Sequence, residues 1–275
     1  MVNVLLCAFE SGIYQLAKNL PGEKPGVQYF ISWQGAEPDL MQIPVSLKDR
    51  KDVIVGTLAG KGLSKNRNNC VSLAKSQQAA GYFLFGDDDV EFLPEFEEKI
   101  TAAFAHYSSS GILCFQVLSP DPDKPFKNYW KESRTIGIMH IDRVSSIEIA
   151  GRMEVLENIS FDERLGLGAP FPSGEEVAFL ADAIRSRIQI QFVPEYIVGH
   201  PQETSGKNRK NQFSKEALKL IGGRVYRIYG ERLALSFFLF SALKNFPIYR
   251  KQLSFLTYIR SLNQGLISFK KTAHA

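Results

Sequence analysis

Short apolar segments alternate with amphipathic helical patterns over the first two-thirds of the chain. Val2–Phe9, Gly81–Phe85 and Gly111–Val117 are almost entirely apolar, and helical patterns at Leu63–Ala79 and Pro94–Tyr107 separate them. Strands that are apolar on both faces are typical of parallel sheets that helices cover on both sides. The pattern therefore predicts an α/β fold with a mixed, mostly parallel sheet flanked by helices.

The same criteria predict the remaining elements of the chain. Further strands are expected at Val27–Trp33, Asp52–Thr57, Ile136–Arg143, Ile188–Val193 and Tyr196–Val198, and further helices at Gly12–Leu20, Ser173–Ser186, Phe213–Ile228, Glu231–Asn245 and Tyr249–Phe269. The strand pattern stops near His200. We therefore expect an α/β catalytic domain over residues 1–201 and a basic, helical C-terminal region over residues 202–275.

Composition excludes several classes of protein. Of the 275 residues, 44% are hydrophobic and 23% charged, as in an ordinary globular protein. The three cysteines form no CxxC pair, which favours buried reduced thiols over disulfides or a zinc site. No apolar run reaches about 18 residues, and the first residues lack the basic start of a secretory signal. The expected location is the cytoplasm, either throughout or peripherally at the inner face of the membrane.

Charge is distributed unevenly along the chain. Residues 206–275 contain 14 Lys or Arg and only two acids, whereas the whole chain has a net charge of +4. Two interpretations stay open. The C-terminal helices either lie on an anionic membrane surface or pack on the catalytic domain with their cations in water. Nucleic-acid binding is not expected, because no nucleic-acid-binding motif accompanies the positive charge.

The membrane interpretation assigns apolar and basic side chains to the contact. The apolar set is Phe237, Phe238, Leu239, Phe240, Phe246, Leu253, Phe255, Leu256, Tyr258, Ile259 and Phe269, and the basic set is Arg250, Lys251, Arg260, Lys270 and Lys271.

Three consecutive aspartates follow the predicted strand Gly81–Phe85. Ligands of open α/β sheets bind beyond the carboxyl ends of the strands, which is where Asp87, Asp88 and Asp89 are expected. Adjacent carboxylates repel one another, and a divalent cation relieves that repulsion. Mg²⁺ and Mn²⁺ prefer oxygen ligands and are often held by one or two carboxylates together with substrate phosphates. The alternative is a solvated acidic turn before the next helix.

Three further segments carry a recognisable pattern. Gly62–Asn68 reads Gly-Leu-Ser-Lys-Asn-Arg-Asn and precedes the apolar strand and the triplet. Phe161–Gly168 reads Phe-Asp-Glu-Arg-Leu-Gly-Leu-Gly and precedes Ser173–Leu180, which contains Gly-Glu-Glu. Phe192–Pro201 is an apolar segment that ends in His-Pro. In this order and spacing, the segments resemble GT-A fold, Rossmann-like glycosyltransferases of the family 2 type over residues 50–201.

That resemblance implies a nucleotide-sugar donor, a UDP- or GDP-sugar, with Mn²⁺ or Mg²⁺ as cofactor. Asp89 would bind the metal, Asp87 the metal and the ribose or sugar part of the donor, and Asp88 would join the donor contact. Lys61 and Arg67 would lie near the nucleotide. A helix N-terminus with an arginine nearby suits a diphosphate on physical grounds as well.

The resemblance also implies a general base and a further metal ligand. In inverting members, the second acid of Gly-Glu-Asp removes the proton from the acceptor hydroxyl. Glu176 stands at that position here, one methylene longer than the aspartate, and Glu175 is the alternative base. His200 corresponds to a histidine that completes the metal shell in some GT-A enzymes. The implied activity is inverting sugar transfer to a saccharide or lipid-linked saccharide in bacterial-type surface polysaccharide, capsule or lipopolysaccharide synthesis.

Two other functions remain open from the sequence. A non-catalytic nucleotide-sugar-binding homologue would account for Glu176 in place of aspartate. A nucleotidyltransferase would need a glycine-rich basic loop directly after the first strand, and Cys7–Gly12 does not provide one.

Overall fold

The computed structural model describes residues 1–37, 41–200 and 213–272. Its centre is a nine-stranded sheet with the order β3-β2-β1-β4-β8-β6-β9-β5, and β7 pairs with β9 on the side. The strands are β1 (Val2–Phe9), β2 (Val27–Gly35), β3 (Val53–Ala59), β4 (Tyr82–Asp87), β5 (Glu91–Phe92), β6 (Ile112–Leu118), β7 (Arg134–Thr135), β8 (Ile149–Arg152) and β9 (Ile190–Gly199). The predicted mixed, mostly parallel α/β fold is confirmed.

Six strands run in one direction. β1 to β4 pair in parallel, β6 pairs in parallel with β9, and β8 lies antiparallel between β4 and β6. Because two antiparallel pairings restore the direction, β6 and β9 point the same way as β4. The carboxyl ends of all six therefore meet at one edge of the sheet, where ligands of such sheets bind.

Helices cover both faces of this sheet. They are α1 (Gly12–Asn19), α2 (Val45–Lys48), α3 (Leu63–Ser76), α4 (Phe96–His106), α5 (Glu175–Arg185), α6 (Lys215–Tyr249) and α7 (Phe255–Lys271). Alternate side chains of β1 enter different apolar clusters: Leu5 packs in the cluster that includes α3 and α5, and Leu6 in the one that includes α1 and α4. Burial on both sides explains why β1 is apolar at nearly every position.

The region between β6 and α5 differs from the sequence prediction. The strand expected at Ile136–Arg143 is absent there. Instead β7 ends at Thr135, a turn follows in which His140 N donates to Gly137 O, and a 3₁₀ turn covers Ile141–Arg143. β8, which the sequence did not reveal, has only four residues between two 3₁₀ turns, and this length leaves too few residues for a pattern.

The C-terminal helices form a hairpin against the catalytic part. α6 joins the two helices predicted at 213–228 and 231–245, and it kinks at Gly230, whose φ of 76° and ψ of 172° only glycine adopts readily. A β-carbon at Gly222 would lie 2.0 Å from the Leu262 carbonyl oxygen of α7, so glycine permits the close approach of the two helices. The predicted domain boundary at 201/202 lies outside the described residues.

Part of the apolar set expected on a membrane lies inside the protein. Phe238 and Tyr258 are buried between α6 and α7, and Phe269 packs against Phe171 of the catalytic part. These three side chains cannot insert into a bilayer without leaving the interior of the protein. No helix among the described residues combines the length and the apolarity needed to span a bilayer.

Candidate active site

A cavity of about 410 Å³ lies at the carboxyl ends of the strands, and we call it the donor cavity after the donor that the sequence resemblance implies. Its walls come from the ends of β1, β2, β4 and β9, from the start of α3 and from the loop before α5. The lining residues are Cys7, Ala8, Phe9, Gln34, Lys61, Gly62, Leu63, Asn66, Asp87, Asp88, Asp89, Leu167, Gly168 and His200. The fold thus brings the triplet, Lys61 and His200 together around one cavity.

Hydrogen bonds join two of the sequence motifs directly. Asn68 Nδ2 donates to Phe161 O over 2.9 Å, and Asn68 Oδ1 accepts from Phe161 N over 2.9 Å. Ser64 Oγ donates to Leu165 O over 2.6 Å. These bonds fix the loop before α5 on the first turns of α3, which explains why two segments about 100 residues apart shape one site.

Arg67 lies beneath the site and does not line the donor cavity. Its guanidinium, only 3% exposed, binds Glu175 Oε1 at 2.9 Å and Asp87 Oδ1 at 3.2 Å, and it donates to Ser146 Oγ at 2.7 Å. Burial alone would lower the pKa of Arg67, but the carboxylates of Asp87 and Glu175 raise it above its ordinary value. The geometry makes Arg67 a buried bridge between two acids rather than a direct contact of the nucleotide.

Glu175 is committed to that bridge. It is 7% exposed, and its Oε1 is occupied by Arg67. To act as a base, Glu175 would have to leave this buried ion pair, and breaking such a pair is costly. Of the two candidate bases, the geometry therefore favours Glu176.

Asp88 points toward the turn between β1 and α1. Its Oδ2 accepts from Phe9 N at 3.3 Å, and it lies so close to Gly12 that a β-carbon there would overlap it. Burial, together with the negative charges of Asp89 and Asp87, raises the pKa of Asp88. Asp88 thus supports the backbone at the rim of the donor cavity.

Asp89 pairs with His200 across the cavity mouth. Asp89 Oδ2 lies 3.1 Å from His200 Nε2, and this hydrogen bond lowers the pKa of the carboxyl group. Within residues 1–37, 41–200 and 213–272, no group of three His, Cys, Asp or Glu side chains is arranged to hold a metal ion. Asp89 and His200 would supply only two ligands, so a Mg²⁺ or Mn²⁺ ion here would also need oxygens from a bound diphosphate.

A second cavity, of about 430 Å³, is lined in part by Glu176, and we call it the acceptor cavity after the acceptor that the sequence resemblance implies. It is also lined by Cys114, Lys127, Asn128, Tyr129, Trp130, Asp142, Arg143, Val144, Ser145, Glu148 and Phe192. Burial and the neighbouring charge of Glu175 raise the pKa of Glu176 to about 7, against the opposing effect of Arg67. Contacts thus run from Asp87, in the wall of the donor cavity, through Arg67 to Glu175, which directly precedes Glu176.

Glu148 is a second acid of the acceptor cavity, but it is already bound. It accepts from Tyr129 Oη, forms an ion pair with Lys127 Nζ at 2.9 Å, and closes a capping box with Ser145 N. It is 2% exposed. Lys127, Tyr129 and Glu148 fall in no helix or strand predicted from the sequence, and no residue pattern distinguishes them.

Two residues that sequence reasoning did not select bring unpaired polar atoms to the donor cavity. Gln34 Nε2 and Asn66 Oδ1 are buried and have no hydrogen-bond partner among the described residues. Gln34 stands at the end of β2, and its position at a strand end facing the cavity is the signal that could have identified it. Buried polar atoms of native proteins are nearly always paired. Because Gln34 and Asn66 also line the cavity, a bound ligand is a candidate partner for both side chains.

The comparison with solved structures bears on the fold, whereas the comparisons of sequence found no match. No protein-family model matches the sequence, and no curated protein matches it significantly. The structure of S. aureus TarS 1–349 superposes with a TM-score of 0.59 at 16% identity, covering 98% of this chain and 91% of that one. The same fragment in complex with UDP-GlcNAc gives 0.58 at 17% identity, covering 96% and 81%.

The longer TarS structure gives a TM-score of 0.58 at 17% identity, covering 90% of this chain and 44% of that one. The chain therefore spans less than half the length of that protein. At such identities the likeness shows a shared fold. The chain shares the fold of TarS, and membership of glycosyltransferase family 2 stays a prediction.

Proposed function

We propose that the chain transfers a sugar from a nucleoside-diphosphate sugar to a hydroxyl acceptor with inversion at the anomeric carbon. The observation that carries the proposal is the link from Asp87, in the donor cavity, through Arg67 to the acids at the start of α5, where Glu176 opens into a second cavity. Such a transfer needs a diphosphate site and a base on opposite sides of the reacting carbon. The UDP and UDP-GlcNAc complexes of TarS support a UDP-sugar as donor, with a GDP-sugar as the alternative.

The donor's diphosphate would lie by Asp89, His200 and Lys61. All three line the donor cavity, and the positive N-terminal end of α3 begins beside Lys61. A Mg²⁺ or Mn²⁺ ion held by Asp89 and His200 with the phosphates would neutralise the charge that develops on the leaving diphosphate. Lys61 adds a positive charge on the same side.

Glu176 would act as the general base. A pKa of about 7 suits this role, because such a carboxylate is deprotonated in half or more of the molecules at neutral pH and still accepts a proton effectively. Glu176 takes the proton of the acceptor hydroxyl as that oxygen bonds to the anomeric carbon. The bond to the diphosphate breaks with its electron pair in the same displacement, so no covalent enzyme intermediate is needed.

The acceptor would be a saccharide or a lipid-linked saccharide that enters the acceptor cavity. Its polar lining of Lys127, Arg143, Asn128 and Ser145 offers hydrogen-bond donors and acceptors for sugar hydroxyls. The proposed setting is bacterial-type surface polysaccharide, capsule or lipopolysaccharide synthesis, in the cytoplasm or at the inner face of the membrane.

Nucleoside diphosphate release from a panel of UDP- and GDP-sugars, with Mn²⁺ or Mg²⁺ and saccharide acceptors, tests the proposal. Glu176→Gln should lower kcat by about 10²- to 10⁴-fold with little change in donor KM, since it removes the base and keeps the shape. The exposed Glu154→Gln is the matched control and should behave as the unsubstituted chain. The unsubstituted kcat should rise with pH through about 7, because Glu176 must lose its proton to act.

Each alternative has its own outcome. Donor binding without turnover, with Glu176→Gln indistinguishable from the unsubstituted chain, would identify a non-catalytic homologue. Release of pyrophosphate from a nucleoside triphosphate incubated with a sugar phosphate, with no nucleoside diphosphate release from the sugar panel, would identify a nucleotidyltransferase. Asp89→Ala tests the metal: full activity of this variant, or full activity in the presence of EDTA, would contradict a role for Mg²⁺ or Mn²⁺.

A further inference from the structure

The second half of α6 exposes large apolar side chains. Six residues of the α6–α7 hairpin that are at least half exposed form what we call the outer face: Leu233, Leu239, Phe240, Leu243, Ile248 and Leu256. Leu235, Phe237 and Phe246 add smaller exposed areas. Between 233 and 249, the exposed polar positions of α6 are only Ser236 and Lys244. A helix face in contact with water is normally polar, and a large exposed apolar patch marks a site that binds another molecule or a membrane.

The hairpin does not need the outer face for its own stability. Ala234, Phe238, Ala242 and Tyr249 form a separate buried stripe that packs on α7. Tyr249 stacks on Tyr258 with ring centres 4.2 Å apart, and its hydroxyl donates to Ala242 O. The apolar residues of the outer face are therefore in excess of what the fold requires.

Positive charge surrounds the outer face. From residue 232 onward the sequence has seven Lys or Arg and no Asp or Glu. Arg250 and Lys251 lie exposed in the turn between α6 and α7, two or three residues after the exposed Ile248. Lys244 lies within the face itself, with Nζ 5.9 Å from the centre of the Phe240 ring. The basic residues thus accompany the apolar ones along the hairpin.

We infer that the outer face docks on a membrane surface that contains anionic lipid. Apolar side chains would enter the boundary between head groups and acyl chains, while the basic side chains meet the lipid charges. A second copy of the chain suits the face less well, because a two-fold contact would bring together two rims in which cations outnumber the single acid Glu231, which already pairs with Lys270. Since no described helix spans a bilayer, the hairpin would lie along the surface.

Co-sedimentation of the full chain with vesicles tests this inference without any donor or turnover. We expect binding to phosphatidylcholine vesicles that contain phosphatidylglycerol, weaker binding to pure phosphatidylcholine, and loss at high salt. Arg250→Gln with Lys251→Gln should lower the partition coefficient about 30-fold, because each Lys or Arg near an anionic surface contributes about 1 kcal/mol. Phe240→Ser with Leu243→Ser should lower it at every salt concentration.

Matched controls lie on the catalytic part. Lys48→Gln with Lys51→Gln removes the same charge from exposed positions, and Val45→Ser removes an apolar side chain that is 69% exposed. Both should bind vesicles as the unsubstituted chain does. The inference would be overturned if the chain did not bind vesicles, if binding did not depend on lipid charge, or if the control variants lowered binding equally. A second result would also overturn it. In that result, sedimentation velocity shows an oligomer, and Phe240→Ser with Leu243→Ser dissociates this oligomer but does not change vesicle binding.

Discussion

Gln34 is the residue whose surroundings point most directly to a bound ligand. Its Nε2 is buried at the end of β2 with no partner among the residues that the structure describes, and Asn66 Oδ1 is in the same position at the start of α3. A buried polar atom without a partner costs about 1–3 kcal/mol. A nucleobase, whose edge carries both donors and acceptors, would pair both atoms and recover that cost.

Gln34→Met should therefore have opposite effects on folding and binding. Methionine keeps the shape and removes the unpaired amide, so the free energy of unfolding should stay unchanged or rise by about 1 kcal/mol. The Kd of UDP should rise about tenfold, because a hydrogen bond to the ligand is lost. Urea unfolding and calorimetric titration measure the two quantities.

Gln191→Met is the control for this prediction. Gln191 is also buried, but its Oε1 accepts a hydrogen bond from Thr135 Oγ1. We expect this substitution to lower stability and leave UDP binding unaltered. If Gln34→Met lowered stability as Gln191→Met does and spared UDP binding, Gln34 would be an ordinary structural residue.

The aspartate triplet shows how far residue-level prediction from sequence extends. Its position at the end of a buried strand was predictable, because the apolar run and the acidic stop are visible in the sequence. The partner of each carboxylate was not predictable: Asp87 binds Arg67, Asp88 accepts a hydrogen bond from Phe9 N, and Asp89 pairs with His200. Each partner comes from a different part of the chain, so only the folded structure decides which carboxylate faces the cavity.

At the scale of elements, a strand could be predicted from the sequence where it is long and buried on both faces of the sheet. β1 has the predicted bounds, because every residue from Val2 to Ala8 is buried and the pattern is continuous. β8 escaped prediction, although it joins the two parallel halves of the sheet through β4 and β6. Four residues are too few for periodicity, and antiparallel pairing with distant strands holds β8 in place.

The α6–α7 hairpin provides a test of helix packing. Alanine forms helices better than glycine by about 1 kcal/mol, so propensity alone predicts that Gly222→Ala stabilises the protein. The added methyl group would instead lie 2.0 Å from the Leu262 carbonyl oxygen. The backbone of Leu262 cannot move away unless the two helices separate. We expect a net loss of about 1–3 kcal/mol in the free energy of unfolding, measured by urea denaturation.

Ser268→Ala serves as the comparison, because Ser268 is exposed and lies near the C-terminal end of α7. It should change stability by less than about 0.5 kcal/mol. Stabilisation by Gly222→Ala would show that the two helices do not approach as closely as the structure indicates.

At the scale of the whole molecule, the donor cavity unites parts of the chain that are far apart in sequence. Residues from four strand ends, from α3 and from the loop before α5 line it. A ligand that contacts all of them binds the folded state alone. Such a ligand stabilises the protein in proportion to the logarithm of its concentration, by about 2.7 kcal/mol at a concentration of 100 times Kd.

UDP with Mn²⁺ at that concentration should therefore raise Tm by about 5–10 °C, since 1 kcal/mol corresponds to about 2–4 °C in a domain of this size. Uridine at the same concentration should raise Tm far less, because it lacks the diphosphate that Lys61 and the Asp89–His200 pair would hold. Asp89→Ala should abolish the difference between UDP with Mn²⁺ and UDP alone. Equal shifts with uridine and UDP would mean that the cavity recognises the nucleoside only, and that the diphosphate lies elsewhere.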